Sequence, residues 1–434
     1  MSRILVLDKV KPTKFHYIIL FSLMIGWGFD AMNSGLISFA LPLIKKDMML
    51  DNIITSFLLS AWLIGMLIGA IIQGMLSDLL GRKKVILISL LLYTLPTILC
   101  SLAYSWYTLF ILRLLAGLGS SGYMVVASTL LSEYTPYKYR GAFTSILESA
   151  WAFGWLLASY IGLILGPSLG WRNIFLSSSI SLIAIPIILV YVPESIRYLL
   201  NKKRFKEVEK ISFKILGEKI EITDIKKSIN SRIGLKTLFS KKYWKRTLML
   251  WIHWFCIVLA YWGIFLWLPQ ILYSRGISLI KSLQYSFIIT LAQIPGYWSG
   301  AYLIEKIGRK KLLITYMSMA GLGSLLFWTS KTYFEALIYG IVISFFNLGA
   351  WGATYAYTPE LYPTSVRGTG SGWANGIGRI GGILGPIIVG ILATITGKYL
   401  YVFIVFALVH FISAISIALL GIETMGKTLE EISD

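Results

Sequence analysis

The sequence predicts an all-α membrane protein with about twelve transmembrane helices, arranged as two related six-helix bundles. Three observations predict this fold class: recurrent apolar runs of about 20 residues, a one-sided distribution of positive charge, and an internal repeat. Of the 434 residues, 56% are hydrophobic and 14% are charged. A soluble chain of this length needs a larger polar surface, so the composition favours a lipid bilayer as the partner.

Each apolar run is long enough to cross a hydrocarbon core of roughly 30 Å as a helix. The predicted spans, TM1 to TM12 in chain order, are 17–43, 53–79, 84–104, 106–133, 143–166, 172–192, 247–273, 281–304, 311–330, 332–357, 370–396 and 399–421. The resulting domains are an N-terminal bundle (1–192), a cytoplasmic linker with short helices (193–246), and a C-terminal bundle with a cytoplasmic tail (247–434). A disordered linker is the alternative for the charged middle segment.

The positive charges lie mostly on one side of this topology. Of the 40 Lys and Arg residues, 31 lie on one side, 7 on the other and two inside spans. This is the positive-inside pattern, which predicts a multi-pass protein of the cell membrane with both termini cytoplasmic. A net charge of +20 would otherwise indicate nucleic acid, but the one-sided placement of the charges excludes it as a partner.

Three sequence elements recur at a single offset of 227 residues. The pairs are Gly81-Arg82-Lys83-Lys84 with Gly308-Arg309-Lys310-Lys311, Glu133 with Glu360, and Arg140-Gly141 with Arg367-Gly368. One register that links three separate elements predicts two duplicated halves.

The repeated loop resembles the signature loop of the major facilitator superfamily. The resemblance rests on Gly74-Met-Leu-Ser-Asp78-Leu-Leu-Gly81-Arg82 and on its second copy around Glu305 and Arg309. It implies a charge latch that joins the halves when the protein faces outward, with Arg140 and Arg367 as the cations. The expected gating residues are Asp78, Arg82, Glu133, Arg140, Glu194, Glu305, Arg309, Glu360, Arg367 and Glu423.

Further motifs resemble the sugar-porter and metabolite-symporter branch of that superfamily. They are Gly28-Phe29-Asp30, Arg113-Leu-Leu-Ala-Gly117, Pro193-Glu194-Ser195 and Glu423-Thr424 with Lys427-Thr-Leu-Glu-Glu-Ile. The resemblance implies a secondary active transporter that works by alternating access, as a monomer, on a small-molecule substrate. It implies neither an enzyme nor a bound cofactor, and Cys100 and Cys256 with three scattered histidines offer no metal site.

Ionisable groups inside spans are costly and mark candidate sites. Asp30 lies roughly 20 Å from the cytoplasmic end of TM1, and Arg113 about 10 Å from the outer end of TM4, so the two share a depth. The resemblance to proton-coupled carriers makes Asp30 the expected proton site, with Arg113 tuning it and Glu148 as a further coupling residue. A static Asp30–Arg113 pair is the alternative.

A second buried cation, Arg379, lies near the midplane in glycine-rich TM11 and requires an anion. A substrate carboxylate suits a guanidinium, and an internal pair with Glu148 is equally open. The remaining expected substrate-binding residues offer aromatic faces or hydrogen bonds. They are Asn33, Trp155, His253, Gln293, Asn347, Trp351, Tyr355 and Asn375.

The cargo predicted from these residues is an organic acid or similar metabolite, moved together with a proton. Trp155-Leu156 stands where sugar porters carry Gln-Leu, and paired glutamines early in TM7 are absent. The run Tyr355-Ala-Tyr357-Thr-Pro359-Glu360 resembles metabolite/proton symporters. A sugar transporter, as symporter or uniporter, is the alternative, and a drug/proton antiporter is a weaker one.

Overall fold

The protein is an assembly of membrane-spanning helices in a computed structural model, which describes residues 11–216, 235–363 and 366–426. The spans are TM1 Lys14–Asp47, TM2 Asn52–Leu80, TM3 Arg82–Leu102, TM4 Trp106–Tyr134, TM5 and TM6 within Arg140–Tyr191, TM7 Trp244–Ser274, TM8 Leu279–Leu291 and Gln293–Ile307, TM9 Arg309–Thr329, TM10 Tyr333–Glu360, TM11 Arg367–Thr396, and TM12 Tyr399–Leu420.

Two regions differ from single straight helices. The 52 residues of Arg140–Tyr191 are too many for one crossing, and the helix turns back at Gly170, whose φ of 78° favours glycine. TM8 is broken between Leu291 and Gln293. Counting the turn and the broken span, the described residues contain twelve crossings, as the fold class predicts.

TM7 lies at the centre of the molecule. Of its most apolar window 94% is buried, whereas the corresponding fraction in the nine other candidate spans found among the described residues is 61% or less. Large apolar side chains such as Ile71, Ile395 and Leu419 are exposed on the outer spans. Apolar exposure of this kind suits a lipid-facing surface.

The two halves are held together at the face opposite the basic loops. Ser38 Oγ donates to the Phe265 carbonyl at 2.7 Å, which joins TM1 to TM7. Closer to this face, Lys45 Nζ donates to Tyr399 Oη at 2.9 Å, and Tyr399 Oη donates to Asn52 Oδ1 at 2.6 Å. Lys45, Asn52 and Tyr399 tie TM1 and TM2 to TM12, and we call them the outer clasp after the side that the sequence predicts to face outward.

On the basic face, the first half has its own charge network. Arg82 pairs with Asp78 at 2.8 Å and lies 3.7 Å from Glu133. Glu194 Oε1 accepts the backbone N–H groups of Arg82 (2.7 Å) and Lys83 (3.2 Å), where the positive end of the TM3 helix dipole favours an anion.

The second half repeats this network. Arg309 pairs with Glu305 at 3.0 Å and with Glu360 at 3.2 Å, and Glu423 accepts the backbone N–H groups of Arg309 and Lys310. The described ion pairs of Asp78 and Glu305 therefore lie within each half, and not across to the other half as the latch hypothesis has it for the outward-facing state. Arg140 and Arg367 donate to the carbonyls of Thr135 and Pro359 in their own halves, each at 3.1 Å.

Between the halves the chain forms the helices Ile196–Asn201 and Phe205–Leu216 and a short 3-10 helix, Leu235–Phe239. Val208 and Ile215 are buried on one side of Phe205–Leu216. The predicted linker segment 217–234 and the tail motif that begins at Lys427 lie outside the described residues.

Candidate substrate cavity

A cavity lies between the halves near the middle of the spans. It encloses about 660 Å³ including its open mouth. Its principal lining side chains are Trp27, Met124, Glu148, Trp151, Trp254, Tyr261, Trp262, Tyr297, Trp351, Tyr355, Asn375 and Arg379. TM1, TM4 and TM5 thus supply one wall, and TM7, TM8, TM10 and TM11 supply the other.

Aromatic side chains from both halves meet at the cavity. Trp151 Nε1 donates to Tyr261 Oη at 2.8 Å, and the Trp151 and Trp262 rings meet edge-to-face at 5.9 Å. Trp155 packs behind them, with its ring 5.8 Å from that of Tyr261 and 6.1 Å from that of Trp262. Edge-to-face rings at these distances pack favourably, so TM5 and TM7 form a continuous aromatic contact between the halves.

Arg379 is the cation of this cavity. Its Nε donates to Asn375 Oδ1 at 3.3 Å, one turn earlier on TM11. Its Nη1 reaches across to Met66 Sδ of TM2 at 3.3 Å. No carboxylate oxygen of the described residues lies within 4.0 Å of its guanidinium. The internal pair with Glu148, one of the two alternatives for Arg379, is therefore not formed in this conformation.

Glycines in TM11 set the position of that guanidinium. A Cβ on Gly381 would lie 2.4 Å from the Phe255 carbonyl oxygen, and one on Gly385 would lie 2.5 Å from that of Leu259. TM11 can approach the TM7 backbone this closely only because both positions lack a side chain. The glycine-rich sequence thus fixes where Arg379 enters the cavity.

Glu148 lines the cavity from TM5, in the other half. Its Oε2 is enclosed and has no hydrogen-bond partner among the described residues. Tyr297 and Tyr355 lie close enough to Glu148 to interact with its charge. Burying a polar atom without a hydrogen-bond partner costs free energy, and this makes Glu148 a candidate functional residue.

Asp30 and Arg113 are both fully buried, but they do not form the predicted direct pair. Arg113 donates from Nη1 to the Asn33 carbonyl at 2.8 Å and from Nη2 to the Ser34 carbonyl at 2.9 Å, and it stacks 4.2 Å from the Trp62 ring centre. These contacts hold Arg113 on the TM1 backbone, and no nitrogen of the described residues lies within 4.0 Å of the Asp30 carboxylate as an ion-pair partner.

Asp30 instead accepts a hydrogen bond from Ser120 Oγ at 3.0 Å, and its Oδ1 has no partner in the described part of the chain. Its carboxylate lies within electrostatic range of two cations, Arg379 and Arg113. The acid of the first half is therefore electrostatically linked to the cation of the cavity.

Four of the expected substrate-binding residues are placed inside the bundles, away from the cavity lining. Asn33 is bonded to Ser178 and Ser181 of its own half. His253 uses both ring nitrogens, with Ser413 and Thr354, each at 2.7 Å. Asn347 contacts His410 at 3.0 Å, and Gln293 is fully buried.

Asn33 and His253 are hydrogen-bonded to other helices, as is usual for polar side chains at membrane depth. Both amide atoms of Gln293 and Oδ1 of Asn347 have no partner among the described residues. Trp155 is also buried behind the lining and does not belong to it. Trp351, Tyr355, Asn375 and Arg379 do line the cavity, as expected of binding residues.

Six aromatic side chains line the cavity but are not among the residues that the sequence predicts for substrate binding: Trp27, Trp151, Trp254, Tyr261, Trp262 and Tyr297. The crowding of aromatic residues in TM7 was a signal for three of them. Trp27 and Trp151 carry no such signal, since a lone Trp in an apolar span packs against lipid or neighbouring helices equally well.

Comparison with known proteins identifies this architecture. The sequence model of the family described as "Sugar (and other) transporter" matches residues 17–434. The chain belongs to this family. It is a membrane transporter, not an enzyme, with the major facilitator fold of the sugar-porter-like branch.

Members of the family resemble the chain over nearly its whole length. The niacin transporter NiaP of Acinetobacter baylyi is 40% identical over 424 residues, which cover 96% of this chain and 97% of the relative. The benzoate transport protein of the same organism is 30% identical over 96% of this chain and 91% of its own length.

Among solved structures, the xylose transporter XylE of E. coli in a partially occluded inward-open conformation has a TM-score of 0.78. The alignment covers 96% of this chain and all of the XylE chain, at 18% identity. At this identity the likeness concerns the fold alone.

Proposed function

We propose that this family member is a proton-coupled carrier of small aromatic monocarboxylates with the chemistry of nicotinate or benzoate. The observation that carries the proposal is Arg379, a guanidinium that lines an aromatic cavity with no carboxylate of the described residues within 4.0 Å. A planar guanidinium binds a carboxylate through two parallel hydrogen bonds, and aromatic walls stack on a flat ring.

The chemistry of the lining favours such a ring over a sugar. A sugar needs a hydrogen-bond partner for each hydroxyl group, because unpaired polar groups are costly to bury. Apart from the aromatic residues, the principal lining offers only Glu148, Asn375 and Arg379 as polar side chains. The relatives named for niacin and benzoate transport support the same substrate class.

Proton coupling follows from the position of Asp30. Ionised Asp30 attracts Arg379 and competes with the substrate carboxylate for it, whereas protonated Asp30 does not. Proton and anion therefore load together, and the loaded carrier gains no charge. Arg113 keeps its place on the TM1 backbone in this scheme and tunes Asp30 from a distance.

The conformation fits an inward-facing state in the plasma membrane, with both termini and the basic loops in the cytoplasm. The outer clasp joins the halves on one face, while Asp78 and Glu305 on the other face have side chains that are 72% and 68% exposed. The bundles 1–192 and 247–434 then rock about the cavity, with the 193–246 segment as their cytoplasmic link. One chain contains the whole cavity, so a monomer suffices.

Uptake into proteoliposomes tests the function directly. We expect labelled nicotinate and benzoate to accumulate when the outside is more acidic than the inside, and glucose and xylose to stay at background. Collapsing the pH gradient with an uncoupler should reduce accumulation to equilibration. Accumulation of xylose or glucose instead of the aromatic acids would assign the chain to sugar transport.

A further inference from the structure

Glu148 is the polar group that carboxylate binding leaves unused. It lines the cavity, its Oε2 has no partner in the described part of the chain, and no described cation lies within 4.0 Å of it. The nearby polar atoms are engaged elsewhere. Tyr297 donates to the Ser145 carbonyl at 3.2 Å, and Asn375 accepts from Arg379 Nε at 3.3 Å.

The duplication of the chain tells where Glu148 points relative to Arg379. The 227-residue offset that relates the repeated loops also relates Glu148 to Asn375 (375 minus 148), and both line the cavity. Arg379 lies one turn beyond Asn375 on TM11, and its counterpart on TM5 is Ala152. The acid and the guanidinium therefore enter the cavity from pseudo-symmetric helices in opposite halves.

An aromatic acid whose carboxylate binds Arg379 on TM11, and whose ring lies between the aromatic lining side chains, would direct that ring toward TM5. The carboxylate end is held by the guanidinium, so the ring end is the part of the molecule that reaches Glu148. A carboxyl group at that position gains a hydrogen bond when the ring carries a hydrogen-bonding atom. It stays unpaired when the facing edge of the ring is hydrocarbon.

We propose that Glu148 selects aromatic carboxylates that carry a ring nitrogen, by hydrogen-bonding that nitrogen while Arg379 holds the carboxylate. This rests on the proposed function and names the substrate class more narrowly: pyridine carboxylates over benzoates. One proton lies between the Glu148 carboxyl and the ring nitrogen, and either partner supplies it. The bond is absent for benzoate, whose ring offers no acceptor.

Among the described lining side chains, one besides Glu148 has a polar atom without a partner: Trp351 on TM10, through its Nε1. An indole N–H donates only, and we assign it to the substrate carboxylate, which nicotinate and benzoate share. Trp351→Phe keeps an aromatic wall and removes this donor, so it is the matched control for Glu148.

Competition binding on the purified full-length protein tests the proposal, with benzoate and nicotinate as the two probes. The wild type should prefer nicotinate by roughly tenfold or more, the worth of one enclosed hydrogen bond. Glu148→Gln retains a donor and should keep the preference within about threefold. Glu148→Leu should bring the ratio near one by weakening nicotinate alone, while Trp351→Phe leaves the ratio unchanged.

The possible results separate the two proposals. A Glu148→Leu protein that binds benzoate as the wild type does is folded, so a wild-type ratio in that variant overturns the role of Glu148. Equal wild-type affinity for nicotinate and benzoate overturns it without any variant. If the wild type binds neither acid, the proposed function fails first.

Discussion

The two halves of the molecule are nearly alike on the basic face and different in the cavity. Arg82 and Arg309 occupy the same register and have the same kinds of acidic partners. In the interior the register equates Asp30 with Ile257 and Arg113 with Gly340. The comparison teaches that the two halves share the network at the helix ends but differ in the interior: the first half contributes the buried acids, and the second contributes the cation that we propose binds the substrate.

The strongest way to break this division is to remove the cation. Arg379→Ala should lower uptake of aromatic acids by about 100-fold or more, because the substrate carboxylate then enters a low-dielectric site without a partner. Arg379→Lys keeps the charge without the planar fork and should retain a small part of the rate. Initial rates in proteoliposomes measure both. Uptake by Arg379→Ala close to wild type would place the carboxylate elsewhere.

The next largest effect is expected at the acid of the first half. Asp30→Asn should abolish accumulation against a gradient, since an amide mimics the protonated form and no longer titrates. Exchange of labelled for unlabelled substrate should stay within about threefold, because Arg379 remains free to bind the anion. Parallel accumulation and counterflow assays separate the two outcomes. Full accumulation by Asp30→Asn contradicts the coupling scheme.

A smaller effect should distinguish the two charge networks of the basic face. Glu360 accepts from both Nε and Nη2 of Arg309 at 3.2 Å, whereas Arg82 has a mostly exposed partner, Asp78, and a distant one, Glu133, at 3.7 Å. Arg309→Gln should therefore destabilise the protein by about 1–3 kcal/mol, and Arg82→Gln by about 1 kcal/mol or less. Thermal unfolding in detergent gives the order, and a larger loss in Arg82→Gln reverses the interpretation.

The smallest effect concerns the outer clasp. Tyr399→Phe removes the hydroxyl shared by Lys45 and Asn52 and should shift the carrier toward the outward-facing state by roughly two- to tenfold. A reporter at Ser56→Cys, which is fully buried in the closed outer face, should then react faster with an impermeant thiol reagent. The native Cys100 and Cys256 are both buried. An unchanged labelling rate would remove the clasp from the gate.

Much of the fold could be predicted from the sequence, because the length of each apolar span and the distribution of charges between the loops are local properties of the chain. The predicted end of TM5 at 166 and the predicted start of TM6 at 172 lie on either side of the observed turn at Gly170. The depth of a residue along its helix can also be predicted from the sequence, and the equal depths of Asp30 and Arg113 are the reason for predicting a pair. The direction in which each side chain leaves its helix was not readable, and Arg113 turns to the TM1 backbone instead.

The same distinction separates the site residues that could be predicted from those that could not. Arg379 could be found from the sequence, since a lone cation at membrane depth has few structural uses. His253 could not be excluded, because its partner Ser413 lies 160 residues away and nothing local indicates the contact. Long-range satisfaction of buried polar groups decides which of them remain for a ligand, and a single sequence does not contain it.

The central claim is that Asp30 and a substrate carboxylate share Arg379, so that anion and proton move together. Proton movement in proteoliposomes with a trapped pH dye tests it directly: nicotinate added outside, with no imposed gradient, should acidify the lumen in the wild type and leave it unchanged in Asp30→Asn. Nicotinate entry without acidification in the wild type, or the same acidification in Asp30→Asn, would contradict the account.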